Sequence, residues 1–193
     1  MANSDLKDRQ EEIEELVLKV QEGDQDAFSQ LYDIFIDPIY RYVYYRVNDE
    51  DADDLVGTVF LKVWENINKY KRGKNSFSAW IFRISHNLVV DHYRMTKDKW
   101  VAELDDNITD HKREHSPIRT TQNSLDQTVL KVALSKLKKP YQDIIVYKFV
   151  NELSNPEISG ILNKSEGSLR ILQFRALKAL KIELINVGVD YEF

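Results

Sequence analysis

The chain has 193 residues, no cysteine and a formal net charge of −5. That length suits one or two domains with cores of their own, and the lack of cysteine excludes disulfides and thiolate metal sites. No apolar run reaches the roughly 18 residues of a membrane span, and the opening Met1 to Asp8 lacks the apolar core of a signal peptide, so a soluble, cytoplasmic protein is expected.

A first helix is predicted from Arg9 to Gln21, with Ile13, Leu16, Val17 and Val20 as its apolar stripe and Gly23 ending it. Asp24 or Asp26 starts the next helix, which Ala27, Phe28, Leu31, Tyr32, Ile34 and Phe35 carry to an expected kink at Pro38. Ile39 to Val47 has the aromatic alternation of a strand. It is read as helix because no partner strand occurs elsewhere in the chain.

From Asn48 to Trp64 a further helix opens on Asp49, Glu50, Asp51, Asp53 and Asp54. These acids suit a cap and the positive end of a helix dipole; a magnesium site is the alternative. Leu55, Val59, Phe60, Val63 and Ile67 supply the core stripe. Gly57 in mid-helix costs about 1 kcal/mol against alanine, which signals a close approach by something.

A basic turn, Lys69 to Ser76, precedes a long helix from Phe77 to Arg94, with Ser76 as its cap. Phe77, Trp80, Ile81, Ile84 and Leu88 fall on one buried stripe, and Arg83, Asn87, Asp91 and Arg94 on a polar face. A polar helix face beside a cationic loop can hold an unstacked nucleic-acid base. The plainer reading is a solvated loop beside an Asp91–Arg94 surface ion pair, worth a few tenths of a kcal/mol.

Met95 to Ser124 is polar, carries Pro117 and reads as a linker. His111 and His115 stand at i, i+4 spacing within it, but no third metal ligand is near. A second helical domain starts at Ser124 or Asp126. Leu130, Val132, Ala133, Leu134 and Leu137 make one helix, and Pro140 opens the next, in which Ile144, Ile145, Tyr147 and Phe149 pack. Ser154-Asn155-Pro156-Glu157 is a capping box, and the short helix of Ile158, Ile161 and Leu162 ends at Asn163, which tolerates a left-handed turn.

Ser165 caps a final helix to about Ile185, and the unit reads as a helix-turn-helix. Leu169, Leu172, Gln173, Ala176 and Leu180 face its core, whereas Arg170, Ile171, Phe174, Arg175 and Lys178 face outward. An outward Phe between arginines suits a major groove, where arginine reads guanine edges and apolar groups meet thymine methyls. A packing helix with solvated charges is the alternative.

The charge is unevenly spread. Acids dominate the first fifty-odd residues, while Lys62, Lys69, Lys71, Arg72, Lys74, Arg83, Arg94, Lys97 and Lys99 face only Glu65, Asp91 and Asp98 over the following stretch. Lys164, Arg170, Arg175, Lys178 and Lys181 make the last helix basic. The pattern describes a body that repels polyanions except at two patches.

Three runs together resemble the bacterial RNA polymerase sigma factors of the extracytoplasmic-function group, over nearly the whole chain. Phe77-x-x-Trp80-Ile81-Phe82-Arg83-Ile84-x-x-Asn87-x-x-x-Asp91-x-x-Arg94 resembles that group's promoter-melting segment. Asp51-Ala52-x-Asp54-Leu55-Val56-x-x-x-Phe60-Leu61-x-Val63-Trp64 resembles its polymerase-binding helix. Leu134-x-x-Leu137, Glu157-Ile158, Ser165-x-Gly167-Ser168-Leu169-Arg170 and Arg175-Ala176-x-x-x-Leu180 resemble its C-terminal DNA-reading domain.

The resemblance implies an all-α protein of two small helical domains, 1–98 and 124–193, joined by a flexible linker over 99–123, with core RNA polymerase and promoter DNA as partners. It implies polymerase contacts by Asp51, Asp54, Leu55, Phe60, Leu61 and Trp64. For the −10 element it implies Lys69, Lys71, Arg72, Lys74, Asn75, Ser76, Arg83 and Asn87. For the −35 element it implies Ser165, Arg170, Ile171, Phe174, Arg175 and Lys178. The linker would thread toward the polymerase active-site and RNA-exit channels. Members are often held by an anti-sigma protein, which is carried as an expected partner; no cofactor, metal or catalytic residue is expected.

Gly57-Thr58 replaces the group's usual Gln-Glu, and Leu172 stands where many members carry arginine. Ser159 and Asn163 replace a usual alanine and glycine. Three rivals are a stand-alone helix-turn-helix regulator without polymerase binding, a metal-dependent nuclease built on Asp49 to Asp54, and a helical scaffold.

Overall fold

The computed structural model describes residues 9–73, 75–103 and 123–189, and over 97–103 and 123–125 the backbone course alone. Among them every regular element is helical: α1 (Gln10–Gln21), α2 (Gln25–Tyr44), α3 (Asp49–Asn66), a 3-10 turn (Ile67–Lys69) and α4 (Phe77–Glu103). After 104–122 come α5 (Asn123–Ser135), α6 (Lys139–Ile145) running into a π turn (Val146–Val150), α7 (Asn155–Leu162) and α8 (Glu166–Asn186). The expected all-α class holds, and Ile39 to Tyr44 is helical. No described helix is long and apolar enough to cross a membrane.

Helices α1 to α4 form the first bundle, around Phe35, Ile39, Tyr42, Val59, Phe77 and Phe82, all buried. Asp24 caps α2 by accepting from the Ala27 amide at 3.0 Å. Pro38, where a kink was expected, lies inside a single helix that continues to Tyr44. Proline in a helix costs about 3 kcal/mol, while burying Phe35 and Ile39 completely returns about 1.5–3 kcal/mol each. Packing therefore wins over propensity. Asn48 precedes α3 but its side chain makes no capping bond, so only the first-turn carboxylates suit the dipole.

Helix α4 overruns its expected end at Arg94 and continues to Glu103, taking the first part of the predicted linker into the helix. No Pro or Gly interrupts 77–103, and Thr96 Oγ1 donates back to the His92 carbonyl at 2.9 Å, a bond compatible with helix. Its buried side is offset from the predicted stripe: Phe77 and Ile81 are buried with Phe82, Ser85 and Val89, while Trp80, Ile84 and Leu88 are half-buried.

The second bundle closes on Leu134, Ile144, Ile145, Ile158, Leu169 and Ala176. Phe149, expected to pack, is exposed instead, within the π turn, and Val132 is exposed on α5. The capping box at the start of α7 forms as expected, and Asn163 sits at φ 52°, ψ 47°, in the left-handed region. Ser165 accepts from the Ser168 amide at 3.3 Å and starts α8.

Candidate nucleic-acid interface

Helices α7 and α8, with the Asn163 turn between them, are the helix-turn-helix. Leu169, Ala176 and Leu180 hold α8 against its bundle, and Gln173 Nε2 donates to Asn155 Oδ1 at 2.9 Å, tying α8 to the start of α7. This fixes the helix rotation, so Ser165, Arg170, Ile171, Phe174, Arg175 and Lys178 all face solvent. Phe174 is 71% exposed and Ile171 57%, an apolar pair flanked by cations. Leu172 is half-buried, as expected for the inward side.

The basic loop between Ile67 and Phe77 is held at its base and open at its tip. The Tyr70 ring is buried against Phe77 and Trp80, at centroid distances of 5.4 and 5.6 Å. Its hydroxyl donates to Glu14 Oε1 at 2.6 Å and lies 3.0 Å from the Asn75 carbonyl. Glu14 Oε1 also accepts from the Phe77 amide at 3.3 Å, and Gln21 Nε2 donates to the Ile67 and Tyr70 carbonyls at 2.8 and 3.1 Å.

Gly73 takes φ 98° at the loop tip, a conformation that glycine adopts without strain. Lys69, Lys71, Arg72 and Asn75 are exposed, as are Arg83 and Asn87 on α4. Lys74 lies outside the described residues, as do His111 and His115. Asp91 and Arg94 do form the exposed ion pair, at 3.4 Å.

On α3 the expected contact residues split. Leu61 and Trp64 are 58% and 44% exposed, with Asp54 also outward. Asp51 is half-buried and lies 3.3 Å from His92 Nε2, and Leu55 is half-buried. Phe60 points inward, 6% exposed and packed on Tyr32. It lies beneath the outer face of α3 and offers almost no surface of its own. Among the described residues nothing comes within 4 Å of a Cβ placed at Gly57, so none of their contacts explains that glycine. The described acids gather into no group that could hold a metal.

The two bundles pack against each other. Arg46, just past the end of α2, inserts into the second domain: its Nη1 donates to the Lys139 carbonyl and to Gln142 Oε1, at 3.2 and 3.1 Å. It also lies 3.1 Å from Asp143 Oδ1, an ion contact without hydrogen-bond alignment. Tyr42 stacks on Tyr147 at 4.9 Å. Burial pushes the Asp143 carboxyl up and the His86 imidazole down, although they lie 3.8 Å apart and favour each other's charge.

Beside this contact is a cleft of about 770 Å³, lined by Tyr45, Arg46, Tyr93, Lys131 and Lys139 among others. Burial and Arg46 bring the Lys139 ammonium down to about 8. At the other end, Ser76 Oγ donates to Glu157 Oε1 at 3.0 Å. Asn75 Oδ1 lies only 2.9 Å from where a side chain at Gly160 would begin. The basic loop is thus met by the helix-turn-helix, while the outer face of α8 stays open.

Residues 31–98 match the family described as Sigma-70 region 2, and residues 128–180 match Sigma-70, region 4. The chain is 33% identical over 167 residues to the ECF RNA polymerase sigma factor BldN of Streptomyces coelicolor, covering 86% of this chain and 63% of that one. It is 30% identical over 181 residues to the ECF RNA polymerase sigma factor SigW of Bacillus subtilis, covering 89% and 96%. The chain belongs to the ECF RNA polymerase sigma factors.

Solved structures share the fold: CnrH in complex with the cytosolic domain of CnrY, at TM-score 0.68 and 22% identity over 90% of this chain and 97% of that one. Bartonella quintana RpoE in complex with the anti-sigma factor NepR gives TM-score 0.67 and 21% identity over 84% and 98%.

In this sigma factor, Sigma-70 region 2 therefore spans most of α2 to α4 and region 4 most of α5 to α8. Four side chains at these sites escaped the sequence reading: Glu14, Gln21, Arg46 and Asp143. Glu14, Val17 and Gln21 recur at helical spacing along the buried edge of α1. That spacing was the available signal. For Arg46 and Asp143 there was none, since each owes its burial to the other domain.

Proposed function

We propose that this sigma factor binds core RNA polymerase through the outer face of α3, reads the −35 duplex with α8, and captures unstacked −10 bases with the 70–76 loop and α4. On α3, Leu61 and Trp64 form the apolar contact and Asp54 a polar edge. On α8, Arg170 and Arg175 read base edges, Ile171 and Phe174 meet thymine methyls, and Ser165 and Lys178 meet phosphates, each good bidentate pair discriminating by about 1–3 kcal/mol. In the loop, Lys69, Lys71, Arg72 and Lys74 attract the strand. Asn75, Ser76, Arg83 and Asn87 surround a flipped base, opposing an unstacking cost of a few kcal/mol.

The sigma factor carries no covalent chemistry of its own and acts in the cytoplasm beside the polymerase. An anti-sigma protein is a further partner, as NepR is for the RpoE of Bartonella quintana. The observation that carries the reading is the 71% exposure of Phe174 between outward arginines on a helix otherwise locked to its bundle. An aromatic left in water at a helix-turn-helix serves a groove better than it serves stability.

Asn75 and Ser76 meet Gly160 and Glu157, so base capture requires the two domains to part. The acidic net charge of −5 adds to this, keeping the free factor off DNA until polymerase aligns both patches. Run-off transcription with purified core enzyme and a promoter library tests the proposal. Arg175→Ala lowers selection of the upstream element, and Asn87→Ala spares duplex binding while impairing opening. Tight duplex binding without core polymerase, and no initiation with it, would identify a stand-alone regulator instead.

A further inference from the structure

Glu14 is a carboxylate on the core side of α1, 4% exposed, among Ile13, Leu16, Val17 and Val20. An apolar residue there would simply extend the stripe, whereas a buried carboxylate is costly unless donors meet it. Both donors come from the ends of one loop: the Tyr70 hydroxyl at 2.6 Å and the Phe77 amide at 3.3 Å. The Phe77 amide is a first-turn amide of α4, left without a helical acceptor. Ser76 takes another, from Ala79 at 3.1 Å.

Two turns along the same edge of α1, Gln21 donates to the Ile67 and Tyr70 carbonyls. Tyr70 is therefore held at both its side chain and its backbone by one helix. Burial, reinforced by the bond to Glu14, raises the Tyr70 hydroxyl well above the ordinary tyrosine value, so it stays a donor. Between these anchors, Lys71, Arg72 and Gly73 stand in solvent.

We propose that α1 is a brace that sets the shape of the 70–76 loop before DNA arrives, with Glu14 and Gln21 as positioning residues for base capture. This rests on the reading of that loop as the −10 receptor. A loop ordered in advance binds a strand without losing chain entropy at that moment, so the brace acts on affinity and on base discrimination. α1 itself touches no DNA. It lies outside the 31–98 match to region 2, and acts through the pairing of Glu14 with Tyr70.

The test uses holoenzyme assembled with core polymerase. The probes are a single-stranded −10 oligonucleotide selected by the wild type from a randomised pool, a mismatched version, and a duplex upstream fragment selected the same way. Glu14→Leu and Tyr70→Phe should each weaken the matched oligonucleotide about tenfold, the loss expected for one buried charge-assisted hydrogen bond. Binding of the mismatched strand, the duplex and core polymerase should stay within about twofold of wild type on the same scale. Gln21→Ala should fall between, and Glu14→Gln, whose amide oxygen still accepts both bonds, should restore most of the affinity.

Tyr70→Phe keeps the ring in its aromatic packing, so it serves if Glu14→Leu fails to fold. Unchanged match discrimination in Tyr70→Phe and Gln21→Ala overturns the proposal, and so does an equal loss across strand, duplex and core binding. If Arg72→Ala and Asn87→Ala also leave the matched strand unaffected, the loop is no −10 receptor. The reading beneath the brace then falls with it.

Discussion

Replacing Asp143 with alanine strips the counter-charge from an arginine that cannot reach water while the domains are packed. The Arg46 side chain is 1% exposed and that of Asp143 10%. Removing one partner of such a pair costs about 3–5 kcal/mol, because the remaining charge stays buried without compensation. Arg46 keeps its bonds to the Lys139 carbonyl and Gln142, which places the loss near the lower end, about 3 kcal/mol. That corresponds to roughly a 150-fold shift toward separated domains.

Since the chain has no cysteine, single cysteines at exposed Ser29 and Asn186 can carry a donor and acceptor dye, and energy transfer through a urea series reports the closed fraction. Asp143→Ala should move the opening transition to lower urea, while helical circular dichroism is retained across that step. Arg46→Met with Asp143→Leu should recover most of the loss, since an apolar pair leaves no charge behind. An opening transition unchanged in Asp143→Ala would refute the clasp, as would a double variant as weak as the sum of the singles.

Acid should loosen the same contact. His86 has its basicity lowered in the packed state by burial, with Asp143 opposing and Arg46 and Arg83 adding to the shift. The closed form thus takes up fewer protons than the open form: its stability is complete above the ordinary histidine value of 6.5 and erodes as pH falls below it. Asp143, raised by burial, works the other way at lower pH, so energy transfer should be compared near pH 7.5 and 6, and His86→Gln should flatten the change. At Asn163, glycine should match or exceed wild-type stability and alanine should lose about 1 kcal/mol, read as melting temperature, because φ 52° penalises a Cβ. Gly57→Ala should stabilise free α3 by about 1 kcal/mol, with no neighbour to obstruct it. A fall in core-polymerase affinity in that variant would show that the glycine answers to the partner. Leu61→Ser should lower core-polymerase affinity with little change in melting temperature, as Leu61 is 58% exposed.

Local chemistry made much of this sigma factor legible in advance. The capping box at Ser154 and Glu157, the left-handed Asn163 and the Ser165 cap all form because each bond joins residues a few positions apart. The outward set on α8 follows from helical periodicity once Leu169, Ala176 and Leu180 are known to be inside. Elsewhere the structure departs from that reading. Helix α4 runs past Arg94 to Glu103 although its polar composition suggested a linker, and Phe149, expected to pack, stands 48% exposed in the π turn.

The amino-acid order alone determined the helical class, the division into two domains, the caps that start and stop α7 and α8, and the placement of positive charge on an acidic body. Those properties depend on neighbours along the chain, whose spacing any reader of the residues can measure. Tertiary structure alone decided that Glu14 is a buried acceptor, that Gln21 holds a loop, and that Arg46 finds its counter-charge in the other domain. A charged side chain reads as solvated until its surroundings are known, and those surroundings come from segments tens of residues away.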